Sequence, residues 1–527
     1  MNISLHSTDI AVFSVYVLGL LAIALWISRS EKKEGANTED YFLASKALPW
    51  WAIGASLIAS NISAEQIIGM SGSGYAMGLA IASYEWMAAV TLILVGKYML
   101  PIFLKQQIYT MPQYLAQRYD DRVKTTMAVF WLAVYVFVNL TAVLWLGGLA
   151  IETVAGVDAL YGMMFLVVFS VAYSLYGGLK AVAFTDILQV TLLVFGGLFL
   201  SYLALDAVSD GRGVLAGFGV LTEQVPTHFD MILSPDNAHY MSLPGLSVLI
   251  GGMWVMNFSY WGFNQYIIQR ALAAKDLNEA QKGIAFAAYL KLLMPLIVVL
   301  PGIAAVVLYP DLTAPDKAYP SMMSLMPVGI KGLVFAALVA AIVSSLASMT
   351  NSISTIFTMD IYKKLHAEKS QSHYVNVGRV TALLALIVAL LVAKPLLGQF
   401  EQAFQYIQEF TGFFTPGIVV IFVMGMFYKG TTANGALAAA FGSALFSLSL
   451  KFAMPSLPFM DRVGLVFVLC LLLCFVVSKL FKANEREPQS TSECVQLSDV
   501  SFTTNTGFNV AALGVVVILI ALYATWW

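Results

Sequence analysis

Apolar segments of about 20 residues recur along the whole chain, and this feature constrains its fold more than any other. A segment of that length can cross the hydrocarbon core of a bilayer as an α-helix. Only 11% of the 527 residues are charged, whereas soluble domains carry about 25%. We therefore predict an all-α polytopic membrane protein with fourteen transmembrane helices, at residues 9–28, 48–70, 79–104, 124–152, 159–177, 181–207, 243–266, 281–309, 329–360, 374–395, 400–427, 431–453, 459–482 and 507–527.

The basic residues indicate how these helices are oriented. Of the 28 Lys and Arg residues, 20 lie in or beside odd-numbered connections, 6 lie at even-numbered ones, and Lys97 and Lys291 lie within spans. Cytoplasmic loops are enriched in Lys and Arg, so both termini are predicted to be non-cytoplasmic. The short loops and the lack of added domains favour a bacterial inner membrane.

Two predicted spans are interrupted by polar residues and glycines. Residues 59–74 read ASNISAEQIIGMSGSG, and residues 251–266 read GGMWVMNFSYWGFNQY. Irregular backbone at membrane depth is tolerated where it is buried in protein or lines a cavity, and transporters place such broken helices at corresponding positions of two inverted repeats. We therefore predict a core of two inverted five-helix repeats with broken first helices, and four segments: 1–47, an extra N-terminal span and cytoplasmic loop; 48–242, the first repeat (spans 2–6) with a long external loop at 206–244; 243–427, the second repeat (spans 7–11); and 428–527, three C-terminal spans with a flexible cytoplasmic linker at 483–506.

Ionisable side chains within predicted spans mark a candidate functional site. Glu85 and Lys291 both lie inside apolar segments, where a charged group is costly and is by default a functional-site hypothesis. The alternatives are that Glu85 meets water at the membrane interface and that Lys291 extends its ammonium group towards an interface.

Amide and aromatic side chains at helical spacing extend this candidate site. Asn257, Tyr260 and Asn264 fall on one predicted helical face, and Phe404 and Gln408 are one turn apart. Amides donate and accept hydrogen bonds as sugar hydroxyls do, and an aromatic ring can stack on the apolar face of a pyranose. The pattern favours a polyol site, and the alternative is interhelical hydrogen bonding that only holds the bundle together.

A stripe of small residues runs along the predicted span at 329–360. Ala341, Ser344, Ser345, Ser348 and Ser352 recur at helical spacing. One interpretation is a packing seam between helices. The other is a hydroxyl-bearing surface for Na⁺, a hard cation that prefers oxygen ligands, completed by carbonyl groups that become free where residues 59–74 unwind.

Four stretches resemble the signatures of the sodium/solute symporter family: EDYFLASKALPWWAIGASLIASNISAEQIIGMSGSG, YWGFNQYIIQR, AALVAAIVSSLASM and FQYIQEFTG. The resemblance covers almost the whole chain and is closest to members that carry galactose or glucose. It implies Na⁺-driven symport of a hexose into the cell by alternating access. Na⁺ is then the co-transported ion, with no organic cofactor, and the protein is not an enzyme.

The resemblance also implies roles for individual residues. Na⁺ would be bound by the carbonyl groups of Ala59, Ile62 and Ala341 and the hydroxyl groups of Ser344 and Ser345. The implied sugar ligands are Gln66, Glu85, Asn257, Lys291 and Gln408, with Asn61 and Asn139 in support. The implied outer gate is Met70, Tyr84 and Phe404, and the implied inner gate is Tyr260 beneath the sugar with Trp261 beside it. Asp186 is implied to lie on the inward ion path.

One position departs from the family pattern, and several alternatives stay open. Ala88 stands where the closest bacterial pattern has a serine that contacts sugar, which puts sugar affinity or epimer preference in question. The alternatives are proton coupling through Glu85 or Asp186, and another solute such as an inositol, an amino or N-acetyl sugar or a sialic acid. A membrane enzyme or sensor is disfavoured by the lack of intramembrane His and of metal-binding motifs. The expected partners are Na⁺, a small sugar and membrane lipid, with no obligatory protein partner and, at a net charge of −2, no nucleic acid.

Overall fold

The computed structural model describes residues 5–31, 48–108, 110–174, 179–398, 402–481 and 497–527. The regular secondary structure in these residues is helical, apart from one isolated bridge between Leu48 and Ala274. The principal α-helices are Ser7–Glu31, Trp50–Asn61, Met70–Met77, Ser83–Leu94, Asp121–Val134, Thr141–Ala155, Ala159–Ser174, Leu179–Val208, Gly252–Phe263, Gln265–Leu272, Leu277–Leu308, Ile330–Thr355, Gln371–Leu397, Ala403–Thr411, Thr415–Phe427, Ala433–Ala453, Phe459–Leu480 and Thr506–Thr525.

Nine helical segments of the described chain are long and apolar enough to cross a membrane. The number is ten if Ala403–Thr411 and Thr415–Phe427, which are bent by 46° relative to each other, form one broken span. The prediction of an all-helical, polytopic chain is confirmed, and the count of fourteen spans stays a prediction. The lower count applies to the described residues only, in which some predicted spans are broken and others are described over part of their length, such as Ser7–Ile23 and Ala159–Ala172.

The first broken helix comprises Trp50–Asn61 and, after a short break, the π-helical turn Glu65–Gly69 with Met70–Met77. Ile62 has φ −71° and ψ 91°, an extended conformation that ends the first half. The last carbonyl groups of a helix have no partner within that helix. The predicted interruption within residues 59–74 is therefore confirmed, and the last carbonyl groups of Trp50–Asn61 have no partner within that helix.

The second broken helix is interrupted at two places. Gly251 separates Ser247–Ile250 from Gly252–Phe263, and Asn264, with φ −82° and ψ 123°, precedes Gln265–Leu272. The prediction that Asn264 continues the face of Asn257 and Tyr260 is wrong, because the helix ends at Phe263. Asn264 Oδ1 instead accepts a hydrogen bond from the Tyr135 hydroxyl group at 2.8 Å.

Glycines bring the first broken helix close to the long helix Leu277–Leu308. A Cβ on Gly54 would lie 2.6 Å from the Gly283 carbonyl oxygen, and one on Gly74 would lie 2.9 Å from the Val299 carbonyl oxygen. Small residues allow the backbones of membrane helices to approach each other in this way. The two helices therefore pack closely enough for side chains from both to share one buried network.

The first helix is connected to Ile330–Thr355 by a buried carboxylate. Asp9 Oδ1 accepts hydrogen bonds from the backbone N–H groups of Gly329 at 2.6 Å and Gly332 at 3.1 Å. These N–H groups belong to the start of a helix, where backbone donors lack partners and negative charge is favourable. The extra N-terminal helix thus stabilises the start of the helix that carries the serine stripe.

Two predicted connecting segments have more structure than expected. Residues 206–244, predicted as a polar external loop, contain the helix Val214–Gln224 and the 3₁₀ turn Pro226–Phe229. In the predicted linker 483–506, residues 483–496 lie outside the described part of the chain. Its last residues pack on the bundle, where the rings of Phe502 and Tyr98 are 5.9 Å apart.

Gly78 is a position where a side chain would disturb the fold. Its φ of 72° and ψ of −149° lie in a region that is essentially restricted to glycine. A Cβ at this position would also lie 2.2 Å from the His228 carbonyl oxygen. We expect Gly78→Ala to lower the free energy of unfolding by about 3 kcal/mol or more, measured as a lower thermal unfolding midpoint in detergent.

The matched control is Gly156→Ala. Gly156 also has a positive φ, of 70°, but a Cβ there would meet no atom within 4 Å. We expect this control to cost about 1 kcal/mol, from backbone conformation alone. Equal destabilisation by the two substitutions would show that the close approach of His228 contributes nothing.

Candidate functional site

A cavity of about 50 Å³ lies where the two broken helices meet Leu277–Leu308 and the 403–411 helix, Ala403–Thr411. With two exceptions, Glu65 and Met256, its lining residues are those predicted from the sequence. The lining residues are Asn61, Glu65, Gln66, Tyr84, Glu85, Met256, Asn257, Tyr260, Trp261, Lys291, Phe404 and Gln408.

An ion pair between Glu85 and Lys291 forms the centre of this site. Lys291 Nζ lies 2.6 Å from Glu85 Oε2, and the two side chains are 1% and 4% exposed. Glu85 Oε1 accepts a hydrogen bond from Gln66 Nε2 at 2.6 Å. Both carboxylate oxygen atoms are therefore paired, as a buried charge requires. The alternatives that Glu85 and Lys291 reach a membrane interface are wrong.

Asn61 connects this ion pair to the second broken helix. Its Oδ1 accepts a hydrogen bond from Lys291 Nζ, and its Nδ2 donates to the Tyr260 hydroxyl group at 3.0 Å. Lys291 Nζ also lies 4.9 Å from the centre of the Trp261 ring, a cation–π contact. One network of side chains thus joins four separate helices around the cavity.

Two pairs of aromatic rings also line the cavity. Tyr84 and Phe404 meet edge to face with ring centres 5.1 Å apart, and the rings of Tyr260 and Trp261 are also 5.1 Å apart. Met70, predicted beside the first pair, is buried but does not line the cavity; its sulfur lies 3.2 Å from Gln66 Nε2.

Two further residues considered from the sequence are described in the structure and do not line this cavity. Asn139 is buried on the π-helical turn Tyr135–Leu140, and Ala88 is buried on Ser83–Leu94. Asp186 belongs to the helix Leu179–Val208, and its side chain lies outside the described residues.

Sequence reasoning missed two lining residues, each beside a predicted one. Glu65 precedes Gln66, and Met256 precedes Asn257. The signal for Glu65 was present, since it is a second carboxylate inside an apolar segment. Met256 gave no such signal, because a methionine in a membrane helix most often only fills space.

The serine stripe lies on Ile330–Thr355, which packs against the first half of the first broken helix. Ala341, Ser344 and Ser345 are buried there, and Ser345 Oγ is a buried oxygen that has no hydrogen-bond partner in the described part of the chain. Ser348 differs, because its Oγ accepts a hydrogen bond from Arg270 Nη2 at 3.3 Å. A buried hydroxyl group without a partner costs free energy, and near free carbonyl groups it can complete a set of oxygen ligands.

The 403–411 helix carries two of the lining residues, Phe404 and Gln408, and ion pairs hold its end. Glu409 Oε1 lies 2.7 Å from Lys451 Nζ and 3.3 Å from Arg462 Nη2. Beyond this end the chain bends by 46° into Thr415–Phe427. The cavity residues on this helix are therefore placed by contacts with the C-terminal helices.

The sequence is similar to those of known sodium-coupled transporters. The model of the family described as "Sodium:solute symporter family" matches residues 41–442. A sodium/glucose cotransporter of Vibrio parahaemolyticus is 51% identical, over 98% of this chain and 98% of the relative. Sodium/myo-inositol cotransporter 2 of Homo sapiens is 34% identical, over 84% of this chain and 70% of the relative.

Solved structures share the fold. A Na⁺-coupled sialic acid symporter, solved in a substrate-bound outward-open state, has a TM-score of 0.76 and 23% identity, over 90% of this chain and 98% of that one. Mhp1, a nucleobase-cation-symport-1 family transporter, has a TM-score of 0.55 and 14% identity, over 87% of this chain and 99% of that one. Since the family match spans most of the sequence, this chain belongs to the sodium:solute symporter family.

Proposed function

We propose that this protein is a secondary active transporter that imports a hexose, galactose or glucose, together with Na⁺ by alternating access. The observation that carries the proposal is the buried network of Glu85, Lys291, Gln66 and Asn61 around a cavity between two broken helices. The name of the Vibrio relative, a sodium/glucose cotransporter, supports the same solute class.

The proposed sugar site matches the chemistry of a polyol. Glu85 accepts hydrogen bonds, Lys291 donates them, and the amides do both. A hydroxyl group can replace the hydrogen bonds that these side chains make with one another, so that binding leaves few buried polar groups without partners. The proposed sugar ligands are Gln66, Glu85, Asn257, Lys291 and Gln408, with Asn61, Asn139 and Tyr260 in support.

In the proposed Na⁺ site, the break of the first broken helix faces the serine helix Ile330–Thr355. The carbonyl groups of Ala59, Ile62 and Ala341 and the hydroxyl groups of Ser344 and Ser345 would bind the ion, with Asp186 on its way to the cytoplasm. The unpartnered Ser345 Oγ supports this assignment. An ion that bridges the two helices stabilises the conformation in which they are apposed.

Transport follows if Na⁺ and sugar favour different conformations of the same bundle. Na⁺ would stabilise the outward-open state, and sugar would then close an outer gate of Met70, Tyr84 and Phe404 before Tyr260 and Trp261 open inwards. One charge moving down 100 mV releases about 2.3 kcal/mol. That energy sustains a sugar gradient of roughly fiftyfold at one-to-one stoichiometry. We place the protein in a bacterial inner membrane with both termini outside.

The direct test is uptake of labelled galactose into proteoliposomes that contain the purified protein. We expect concentrative uptake with an inward Na⁺ gradient and none when K⁺ replaces Na⁺. Uptake that follows a pH gradient and ignores Na⁺ would instead indicate proton coupling. Inhibition of labelled galactose uptake by myo-inositol or an amino sugar, but not by glucose, would indicate that another polyol is the transported solute.

Ser345→Ala tests the proposed Na⁺ site. The substitution removes one oxygen ligand, so the Na⁺ concentration for half-maximal uptake should rise by about ten- to a hundredfold. The measurement is the Na⁺ dependence of galactose uptake at saturating sugar. Ser447→Ala is the matched control, because Ser447 Oγ is also buried with no partner among the residues that the structure describes, but lies on Ala433–Ala453. An unchanged Na⁺ requirement for Ser345→Ala would make the stripe a packing seam only.

Gln408→Ala tests the proposed sugar site. Loss of one amide should weaken sugar binding by about five- to tenfold, while Na⁺ binding without sugar stays unchanged. The measurement is the KM for galactose together with Na⁺ affinity in the absence of sugar. Gln405→Ala is the control on the same helix, since Gln405 does not line the cavity. Normal KM in the Gln408 variant would remove this residue from the site.

A further inference from the structure

Asp316 is a buried carboxylate in the connection between two membrane helices. It lies on the 3₁₀ turn Pro315–Lys317, between Leu277–Leu308 and Ile330–Thr355, and is 2% exposed. Aspartate is seldom buried to this extent unless it is paired. This position therefore calls for a physical explanation that the sugar and Na⁺ sites do not supply.

The two oxygen atoms of Asp316 have different surroundings. Oδ2 accepts a hydrogen bond from the backbone N–H group of Ala403 at 2.9 Å, at the start of the 403–411 helix. Oδ1 is buried and has no hydrogen-bond partner among the described residues. Oδ2 thus accepts a hydrogen bond from the start of the 403–411 helix, whereas Oδ1 is buried and no hydrogen-bond donor of the described residues reaches it.

The first broken helix encloses the other side of Asp316. A Cβ on Gly72 would lie 2.5 Å from Asp316 Oδ1 and 2.8 Å from its Cα atom, so this contact requires glycine. A neighbouring hydrogen bond joins Ser73 Oγ to Gln402 Oε1 at 3.2 Å. Asp316 is therefore wedged between the first broken helix and the start of the 403–411 helix.

The position of the 403–411 helix determines where two cavity residues lie. Phe404 and Gln408 both face the cavity from this short helix. The bend of 46° after it separates this helix from Thr415–Phe427. A contact that holds its start therefore controls the placement of Phe404 and Gln408 relative to the proposed sugar.

We propose that Asp316 is a positioning residue that holds the 403–411 helix against the first broken helix, and that its ionisation makes this contact dependent on external pH. The consequence for sugar affinity rests on the proposed function and on the proposed orientation of the termini. The contact itself depends on neither of them.

Burial raises the pKa of Asp316 to about 7, although the hydrogen bond from the Ala403 N–H group acts in the opposite direction. A carboxyl group released into water has a pKa of about 3.9. Because the pKa is higher in the contact, protonation stabilises the contact. This stabilisation is fully present below about pH 4 and is lost as pH rises to about 7.

Other titratable groups lie on the elements that pack against the turn, and most are neutral or paired. Lys317 on the turn lies 3.4 Å from Glu152 of Thr141–Ala155, and Glu409 is paired with Lys451 and Arg462. The remaining titratable side chains on these elements are Glu65 on the π-helical turn, Tyr75 on Met70–Met77, Tyr319 on Ala318–Met322 and Tyr406 on the 403–411 helix.

The first test measures release of the 403–411 helix without using transport. Gln405→Cys, in a background where the native cysteines are serine, is reacted with an uncharged maleimide between pH 5 and pH 8. The same rate is measured with Asp316→Asn added, whose amide oxygen still accepts from Ala403 but carries no charge. Dividing the rate for the Asp316 protein by the rate for Asp316→Asn at each pH cancels the pH dependence of the thiol itself.

We expect the reaction rate of the Asp316 protein relative to Asp316→Asn to rise between pH 5 and pH 7 and to level off above pH 7. One proton per release gives a change of up to about a hundredfold over these two pH units. Asp311→Asn is the matched control, since Asp311 is an exposed carboxylate on the same connection. The labelling rate of the Asp311→Asn protein should depend on pH in the same way as that of the unmodified chain. If the rate of the unmodified chain relative to that of Asp316→Asn does not change with pH, the proposal is overturned.

The second test measures the KM for galactose in proteoliposomes at varied external pH. Relative to Asp316→Asn, the KM of the unmodified protein should rise from pH 5 to pH 7, with a smaller change in kcat. Asp316→Ala, which offers no acceptor to Ala403, should raise KM at every pH. A pH-dependent labelling ratio without galactose uptake would contradict the proposed sugar but support the positioning role. Galactose uptake with a labelling ratio that does not change with pH would support the proposed sugar but contradict the positioning role.

Discussion

The buried ion pair between Glu85 and Lys291 is the interaction on which the centre of this protein depends. Two charges taken out of water are tolerable only when their geometry is good and their remaining hydrogen-bonding groups are satisfied. Here the partners come from Ser83–Leu94 and Leu277–Leu308, and the first broken helix supplies Gln66 and Asn61 to complete them. Three helices must therefore converge at one point, and the cavity lies at that point.

Close helix packing makes this convergence geometrically feasible. Glycines at 54 and 74 let the first broken helix approach the backbone of Leu277–Leu308, and Gly302 meets Ser71 in the same way. The first half of this helix ends at Ile62, and Gln66, just after the break, donates a hydrogen bond to Glu85. The same interruption thus serves the proposed ion site and the proposed sugar site, which is a physical basis for coupling between them.

The 403–411 helix carries two residues of this cavity and is held at both ends. Asp316 holds its start through the Ala403 N–H group, and Lys451 and Arg462 hold Glu409 near its end. Both anchors involve ionisable groups outside the central network, so they can respond to conditions that leave the Glu85–Lys291 pair unchanged. Movement of this helix changes the position of Gln408 directly, without any change in the two broken helices.

The sequence by itself determined the all-helical membrane fold, the two broken helices and most of the cavity lining. It could do so because apolar length, glycine and intramembrane polar groups such as Glu85 and Lys291 have few tolerable arrangements in lipid. Only the tertiary structure decided which polar groups pair. It placed Asn264 with Tyr135 and not in the cavity, distinguished Ser345 from Ser348, and joined Asp316 to Ala403 across 87 residues. Spacing along one helix defines a face, but the partner of that face depends on which helices meet, and that information lies in packing between distant segments.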